Sequence, residues 1–328
     1  MKRVNMVIVS VIVCLILSAV VFVVPMESEA ATVLRVAHEM PENHPYHLGS
    51  LKFGDLLKEK TNGRMEVKVY PSGQLGTQKE LAEMVAANQL DACLVWQGIL
   101  ESYDPNTGVV SLPFIFDSWE HTWKVVDGEV GQEIFAPLEQ KGIKVIAVFN
   151  NGLYNVVSRV PGKNPEDMVG IKLRVQPSAV FVQSGQMMGS VVTPMAFGEV
   201  YSALQLGAID AQIQGPINVR KSKHYEVAKY TCQNNISFLL EPMLMNSKKF
   251  NSFSAEDQKA ILEAAYEASL WQREDAEKAD VEDTKFLKEN GMEYYVPDLE
   301  LWRAAVMPMY DKYPEWKEVV DKIRALAK

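Results

Sequence analysis

Between residues 33 and 95 the chain alternates strand-like and helix-like patterning, and that order admits few folds. Val33 to Ala37 reads as a short apolar strand, and Pro45 to Lys60 has helical spacing that stops at Thr61-Asn62-Gly63. Met65 to Tyr70 alternates as a half-buried strand does, with Val67 and Val69 on one face; Gln78 to Asn88 returns to helical periodicity, and Asp91 to Val95 is a third strand. The crossovers are long enough for parallel pairing. This βαβαβ opening predicts an α/β fold with an open parallel sheet and a ligand crevice at the carboxyl ends of the strands.

The pattern then repeats. Gly142 to Phe149 and Leu153 to Ser158 read as two further strands, and Pro161 and Pro165 mark a crossing into a second α/β run. Within it, Ile171 to Val175 and Ile209 to Ile213 read as strands, and Ala179 to Met188 and Glu199 to Gln205 as helices. Ser254 to Asn290 is one long helical stretch, opened by the capping sequence Ser254-Ala255-Glu256-Asp257 and closed by Gly291. Its apolar positions are sparse and irregular, which predicts a spine packed across both lobes rather than a coiled coil, and leaves open a homodimer formed through it. With 328 residues, two lobes are expected, because single cores stop growing at roughly 250–300 residues. The expected organisation is a first lobe over 31–155, a second over 156–245, each with an open sheet, and a helical region over 246–328 packing across both.

Lys2 and Arg3 precede an almost unbroken apolar run from Met6 to Met26, and small residues at Ser28 and Ala30 fit a signal-peptidase site. Residues 1–30 are therefore expected to be a signal peptide cleaved after Ala30, placing the body of the protein in the periplasm; an uncleaved anchor is the alternative. The net charge of −9 argues against a broad electrostatic grip on nucleic acid or anionic lipid. Cys93 sits in an apolar run and reads as a buried thiol, so no disulfide with Cys232 is expected.

Hydrolase and nucleotide signatures are missing: no Gly-x-Ser-x-Gly elbow, no Gly-x-Gly-x-x-Gly and no phosphate-cradling loop. His38, His44 and His47, with Glu39 and Glu42 between them, are superficially metal-like, and an exported metal-dependent enzyme is the rival reading they support. Pro41 and Pro45 prevent the single helix face that a His-Glu-x-x-His site needs, so neither a metal nor another cofactor is expected. Arg174, near the end of the strand that holds Leu173 and Val175, offers a planar donor pair matched to a carboxylate, although an interlobe salt bridge would look the same.

Four motifs go further: Gly170-x-Lys172-x-Arg174-Val175, Thr193-Pro194-Met195-Ala196-Phe197-Gly198-Glu199-Val200-Tyr201, Ala203-Leu204-Gln205-x-Gly207-x-Ile209-Asp210, and Tyr70-Pro71-Ser72-Gly73-Gln74-Leu75-Gly76. With them the chain resembles the substrate-binding subunits of tripartite ATP-independent periplasmic (TRAP) transporters, the family of the C4-dicarboxylate-binding proteins. The resemblance implies a two-lobed periplasmic binding protein, not an enzyme, that closes over a small organic acid and delivers it to TRAP membrane permease subunits; a receptor for a sensor kinase would use the same pocket. It implies that Arg174 pairs with the substrate carboxylate and that Phe197 packs on the ligand. By local match Glu39 and Gln78 reach the crevice, and Trp96 stands where relatives often carry a polar contact, suggesting an apolar wall. Tyr154 falls where many dicarboxylate and sugar-acid binders have a second arginine. The asparagine contact of the family passes to Gln214, or to Gln212 if the backbone shifts, because Asp210-Ala211-Gln212-Ile213-Gln214-Gly215-Pro216 is one residue longer before its proline. A single arginine suits a monocarboxylate, a sulfonate or a zwitterion whose cation meets Glu39 better than it suits a dicarboxylate.

Overall fold

A computed structural model describes residues 31–327; residues 1–30, expected from the sequence to be a signal peptide, lie outside the described residues. The first half contains β1 (Thr32–Ala37), α1 (Pro45–Lys60), β2 (Met65–Tyr70), α2 (Gln78–Ala86), β3 (Ala92–Leu94), α3 (Trp119–Val126), α4 (Glu129–Phe135) and β4 (Ile143–Ser158). The second contains β5 (Lys172–Val175), α5 (Ala179–Met187), β6 (Val191–Pro194), α6 (Val200–Leu206), β7 (Ala211–Gln214), α7 (Pro216–Lys221) and β8 (Tyr230–Asn246). It closes with α8 (Ser247–Asn251), α9 (Ala255–Glu289), β9 (Glu293–Tyr295), α10 (Leu299–Val306) and α11 (Lys317–Ala325). Among the described residues no helix is long and apolar enough to cross a membrane.

The strands join into one sheet in the order β2-β1-β3-β8-β4-β7-β5-β6, with β9 on β8. Each half contributes a parallel trio: β1 pairs with β2 and β3, and β5 pairs with β6 and β7. Between the trios runs an antiparallel ribbon of the two long strands, β4 and β8, which stay paired from Ile143↔Asn246 to Ser158↔Tyr230. The expected pair of separate sheets is therefore corrected to one continuous sheet. The strands read at 142–149 and 153–158 are likewise a single strand, interrupted by a register shift between Asn150 and Leu153 rather than by a turn. The boundary drawn at residue 155 falls inside it.

Burial follows the strand period of two. Val36, Leu94, Met243 and Met245 pack with Phe53, Leu57, Ile261 and Ala264 on one face of the first trio, while Ala37, Cys93 and Leu244 pack with Leu81, Val85 and Leu100 on the other. Covering both faces explains why β1 and β3 read as continuous apolar runs. Cys93 and Cys232 are both buried free thiols.

The helix α9 has 35 residues, a length of about 52 Å at 1.5 Å per residue. Ser254 caps it by accepting from the Asp257 backbone N–H at 3.1 Å, and Gly291 follows it with a φ of 83°. Its first half packs Ala260, Ile261, Ala264 and Ala268 on the core of the first trio, whereas Leu287 joins Val157, Val200 and Leu204 near the second. The sparse apolar pattern is thus a spine that changes partners along its length.

Candidate functional site

The carboxyl ends of strands from both trios converge on one cavity of about 160 Å³. Glu39 follows β1, Trp96 follows β3, Gln176 follows β5 and Gln214 ends β7; Arg174, Tyr154, Asn151, Phe197 and Gln78 complete most of the wall. Parallel strands end their ladders there, so the loops that leave them are free to carry side chains into the crevice.

Arg174 sits on the opposite face of β5 from the core residues Leu173 and Val175 and is almost fully buried. Its Nε and Nη2 donate to the Met195 carbonyl at 3.1 and 2.8 Å, which fixes the guanidinium plane. Nη1 is buried without a partner among the described residues. Burial lowers the pKa to about 10, against the attraction of Tyr154, Glu39 and Glu199, so the group stays cationic at neutral pH. A buried cation with one uncommitted N–H edge is a strong anchor for an anion, because the surrounding dielectric is low.

The other walls divide into aromatic and polar. Trp96 meets Phe181 edge-on with centroids 5.1 Å apart, and Tyr154 meets Phe181 at 5.3 Å. Gly98 makes room for that indole: a Cβ there would come within 2.1 Å of the Trp96 ring. Phe197 is half-buried and lies against His224 at 5.2 Å. Tyr154 is completely buried, burial pushes its phenol well up, and its hydroxyl accepts from Gln176 Nε2. Gln78 Oε1 accepts from the Trp96 backbone N–H at 2.6 Å, tying the start of α2 to the end of β3. Burial raises the Glu39 carboxyl, while Gln78 and Arg174 pull it partway back. Three further polar atoms on lining residues, Asn151 Oδ1, Gln176 Oε1 and Trp96 Nε1, are buried without partners among the described residues.

Of the residues singled out from sequence, Arg174, Phe197, Trp96, Tyr154, Gln214, Glu39 and Gln78 share this cavity. Gln212 is not on its wall. It faces the same side of β7 two residues earlier, and its Nε2 is 2.9 Å from His224 Nδ1, so between the two glutamines it is Gln214 that the strand delivers to the crevice. Gln176, Asn151, Asn218 and Leu239 were not anticipated. Gln176 was within reach of the strand-end argument, since it directly follows Val175; Asn151 sits in the register shift of β4, and Asn218 and Leu239 carry no sequence signal.

The histidines near residue 40 are committed elsewhere. His38 Nδ1 accepts from the Met40 backbone N–H at 3.2 Å and its Nε2 meets His47 Nδ1 at 3.3 Å. His44 caps α1 and pairs with Asn218, and burial pushes both His38 and His44 down to about 3. Among the described residues no group of three or more His, Cys, Asp or Glu side chains is arranged to hold a metal.

Comparison with known proteins shows the family. Residues 36–315 match the model of the DctP family, described as bacterial extracellular solute-binding protein, family 7. The 2,3-diketo-L-gulonate-binding periplasmic protein of Escherichia coli is 34% identical over 248 residues, covering 75% of each chain. A TRAP periplasmic solute-binding protein from Sulfitobacter sp., solved with bound β-D-galacturonate, superposes with a TM-score of 0.86 at 30% identity, covering 90% of this chain and 100% of that one. Another from Polaromonas sp., bound to D-erythronate, gives 0.85 at 28% identity over 90% of this chain and 98% of its own. These relatives are receptors, which removes the metal-dependent enzyme reading, and the chain belongs to family 7 of the bacterial extracellular solute-binding proteins, the periplasmic receptors of TRAP transport.

Proposed function

We propose that this receptor binds a small hydroxylated acid with a single carboxylate in the cavity at Arg174 and hands it to a TRAP membrane permease. The observation that carries the reading is the uncommitted Nη1 of the buried Arg174. Among the described residues the only other cationic one on the wall is Lys79, whose side chain is 72% exposed and turned toward Glu83. A second carboxylate would therefore be desolvated without a buried cation to meet it, at a cost of several kcal/mol in round terms. Asn151 Oδ1 and Gln176 Oε1 are acceptors in want of donors, which ligand hydroxyls supply. Diketogulonate, galacturonate and erythronate, the ligands of the three relatives described above, each carry one carboxylate and several hydroxyls, whereas a further relative, from Rhodobacter capsulatus, is a C4-dicarboxylate-binding protein. In this reading residues 1–30 direct export and Ala31 becomes the first residue of the periplasmic protein.

The test is a thermal-shift and calorimetry panel of sugar acids, aldonates, C4-dicarboxylates and sulfonates on the exported protein, whose intact mass also reports the cleavage site. Ligand at about 1,000 times its dissociation constant should stabilise the fold by about 4 kcal/mol. A hydroxylated monocarboxylate that binds at least ten times more tightly than succinate is the expected result, ten-fold being about 1.4 kcal/mol. Tighter binding of succinate than of every monocarboxylate would defeat the single-carboxylate reading.

A further inference from the structure

A hydrogen-bond relay behind the cavity determines which end of the Gln214 amide faces the ligand. It starts from a donor whose identity is not in question: the Tyr46 backbone N–H donates to His44 Nδ1 at 3.1 Å. Nδ1 therefore holds the lone pair, and the neutral imidazole keeps its proton on Nε2. His44 is wholly buried; burial pushes it down to about 3, and His38 and Lys221, which face it, act in the same direction. Nε2–H donates to Asn218 Oδ1 at 2.9 Å, so Asn218 turns its Nδ2 to Gln214 Oε1 at 2.8 Å. The Gly215 backbone N–H reaches the same oxygen at 2.9 Å. Both lone pairs of Oε1 are then used, and the Nε2 hydrogens are what Gln214 has left for the cavity it lines.

We propose that His44 and Asn218 are positioning residues that lock Gln214 as a hydrogen-bond donor, making its end of the cavity selective for a ligand acceptor, a carboxylate or carbonyl oxygen, over a donor. The inference rests on the acid-receptor reading given above. The relay joins positions 174 residues apart, from the loop before α1 to α7, which is why no sequence motif announces it. Without it, an amide on a strand end could present either face, and the cavity would accept donors and acceptors alike. With it, Gln214 Nε2 and Arg174 Nη1 are both donors, while Gln176 Oε1 and Asn151 Oδ1 are acceptors, so the wall offers donors to an acid group and acceptors to hydroxyls.

The experiment uses the exported protein with nitrogen-15 in its histidines, in wild type, Asn218→Asp and Gln214→Glu forms. Proton–nitrogen NMR reads the His44 tautomer, and calorimetry with sodium D-galacturonate and sodium D-erythronate reads binding. Wild type should show the Nε2–H tautomer from about pH 5 to pH 8. Asn218→Asp, which can only accept, should shift the His44 resonances and raise its titration, because a carboxylate then faces Nε2. Gln214→Glu can keep one oxygen on Asn218 and Gly215 while turning the other to the cavity; the His44 spectrum should stay as in wild type while affinity falls at least about tenfold. An Nδ1–H tautomer or an imidazolium at pH 7, an unmoved spectrum in Asn218→Asp, or full affinity in Gln214→Glu would each overturn the proposal. If wild type binds neither sugar acid, the tautomer with its response to Asn218→Asp still decides the relay, and the ligand reading is decided by the wider panel of acids.

Discussion

The buried titratable side chains of this protein act in opposite directions with pH, and single residues separate them. His38, His44 and His224 are held near 3 by burial, below the ordinary 6.5. Folding therefore opposes their protonation: their contribution is complete above pH 6.5 and is lost as pH falls toward 3, at about 1.4 kcal/mol per pH unit for each. Asp280 runs the other way, since burial raises its carboxyl to about 7; its proton stabilises the fold at low pH and is lost as pH rises through 7. Urea unfolding from pH 4 to pH 8 should show His38→Gln with a shallower loss of stability on the acid side than wild type, and Asp280→Asn with a gain that grows from about pH 4 and levels off above about pH 7. Parallel curves for wild type and both variants would contradict the assignments. At this scale the strand alone did not single out Arg174, since a surface arginine or an interlobe salt bridge would look the same there; the family-like motif around it gave it a role. The bond from His44 to Asn218 was not legible, because it depends on which loop faces which helix after folding.

At the scale of elements, the strand β4 shows why some boundaries could not be read. Asn150-Asn151-Gly152 has the composition of a turn, and an isolated hairpin would use it as one. In the fold the chain runs straight on, and α9 supplies what the ladder lacks: Gln272 Nε2 donates to the Asn150 carbonyl at 2.7 Å, and its Oε1 accepts from the Asn150 N–H at 2.8 Å. One helix side chain thus replaces a strand neighbour. Arg273 continues the splice, donating to the Val148 carbonyl and to both oxygens of Asp127. Gly49 of α1 allows the approach, for a Cβ there would come within 2.6 Å of Phe149 and 2.8 Å of Gln272. Gln272→Ala leaves a buried N–H and a buried carbonyl unpaired, and should cost about 1–3 kcal/mol in urea unfolding. A variant as stable as wild type would show that β4 needs no splice. The spine helix itself was legible from its cap and its length; its bond to Asn150 was not, because a glutamine in a polar helix gives no hint of burial.

For the whole molecule, the sheet explains the position of the site. Two parallel trios point their carboxyl ends at one crevice because the ribbon of β4 and β8 holds them in a single sheet; strand ends and helix starts supply much of the polar wall, and Asn151 and Tyr154 reach it from the middle of β4. The alternation of strands and helices foretold the first trio and, of the second, β5 and β7; β6 (Val191–Pro194), a short edge strand, was not read from the sequence. The ribbon escaped it: β8 is long and buried along most of its length, and nothing local distinguishes such a run from several shorter elements. In the proposed function Arg174 receives the acid group of the ligand inside this crevice. A crystal structure of the exported protein with the tightest-binding acid of the panel tests it most directly. A carboxylate oxygen should lie within about 3 Å of Arg174 Nη1, with ligand hydroxyls toward Asn151 and Gln176. An acid bound with its carboxylate turned away from Arg174, or bound outside the cavity altogether, would contradict it.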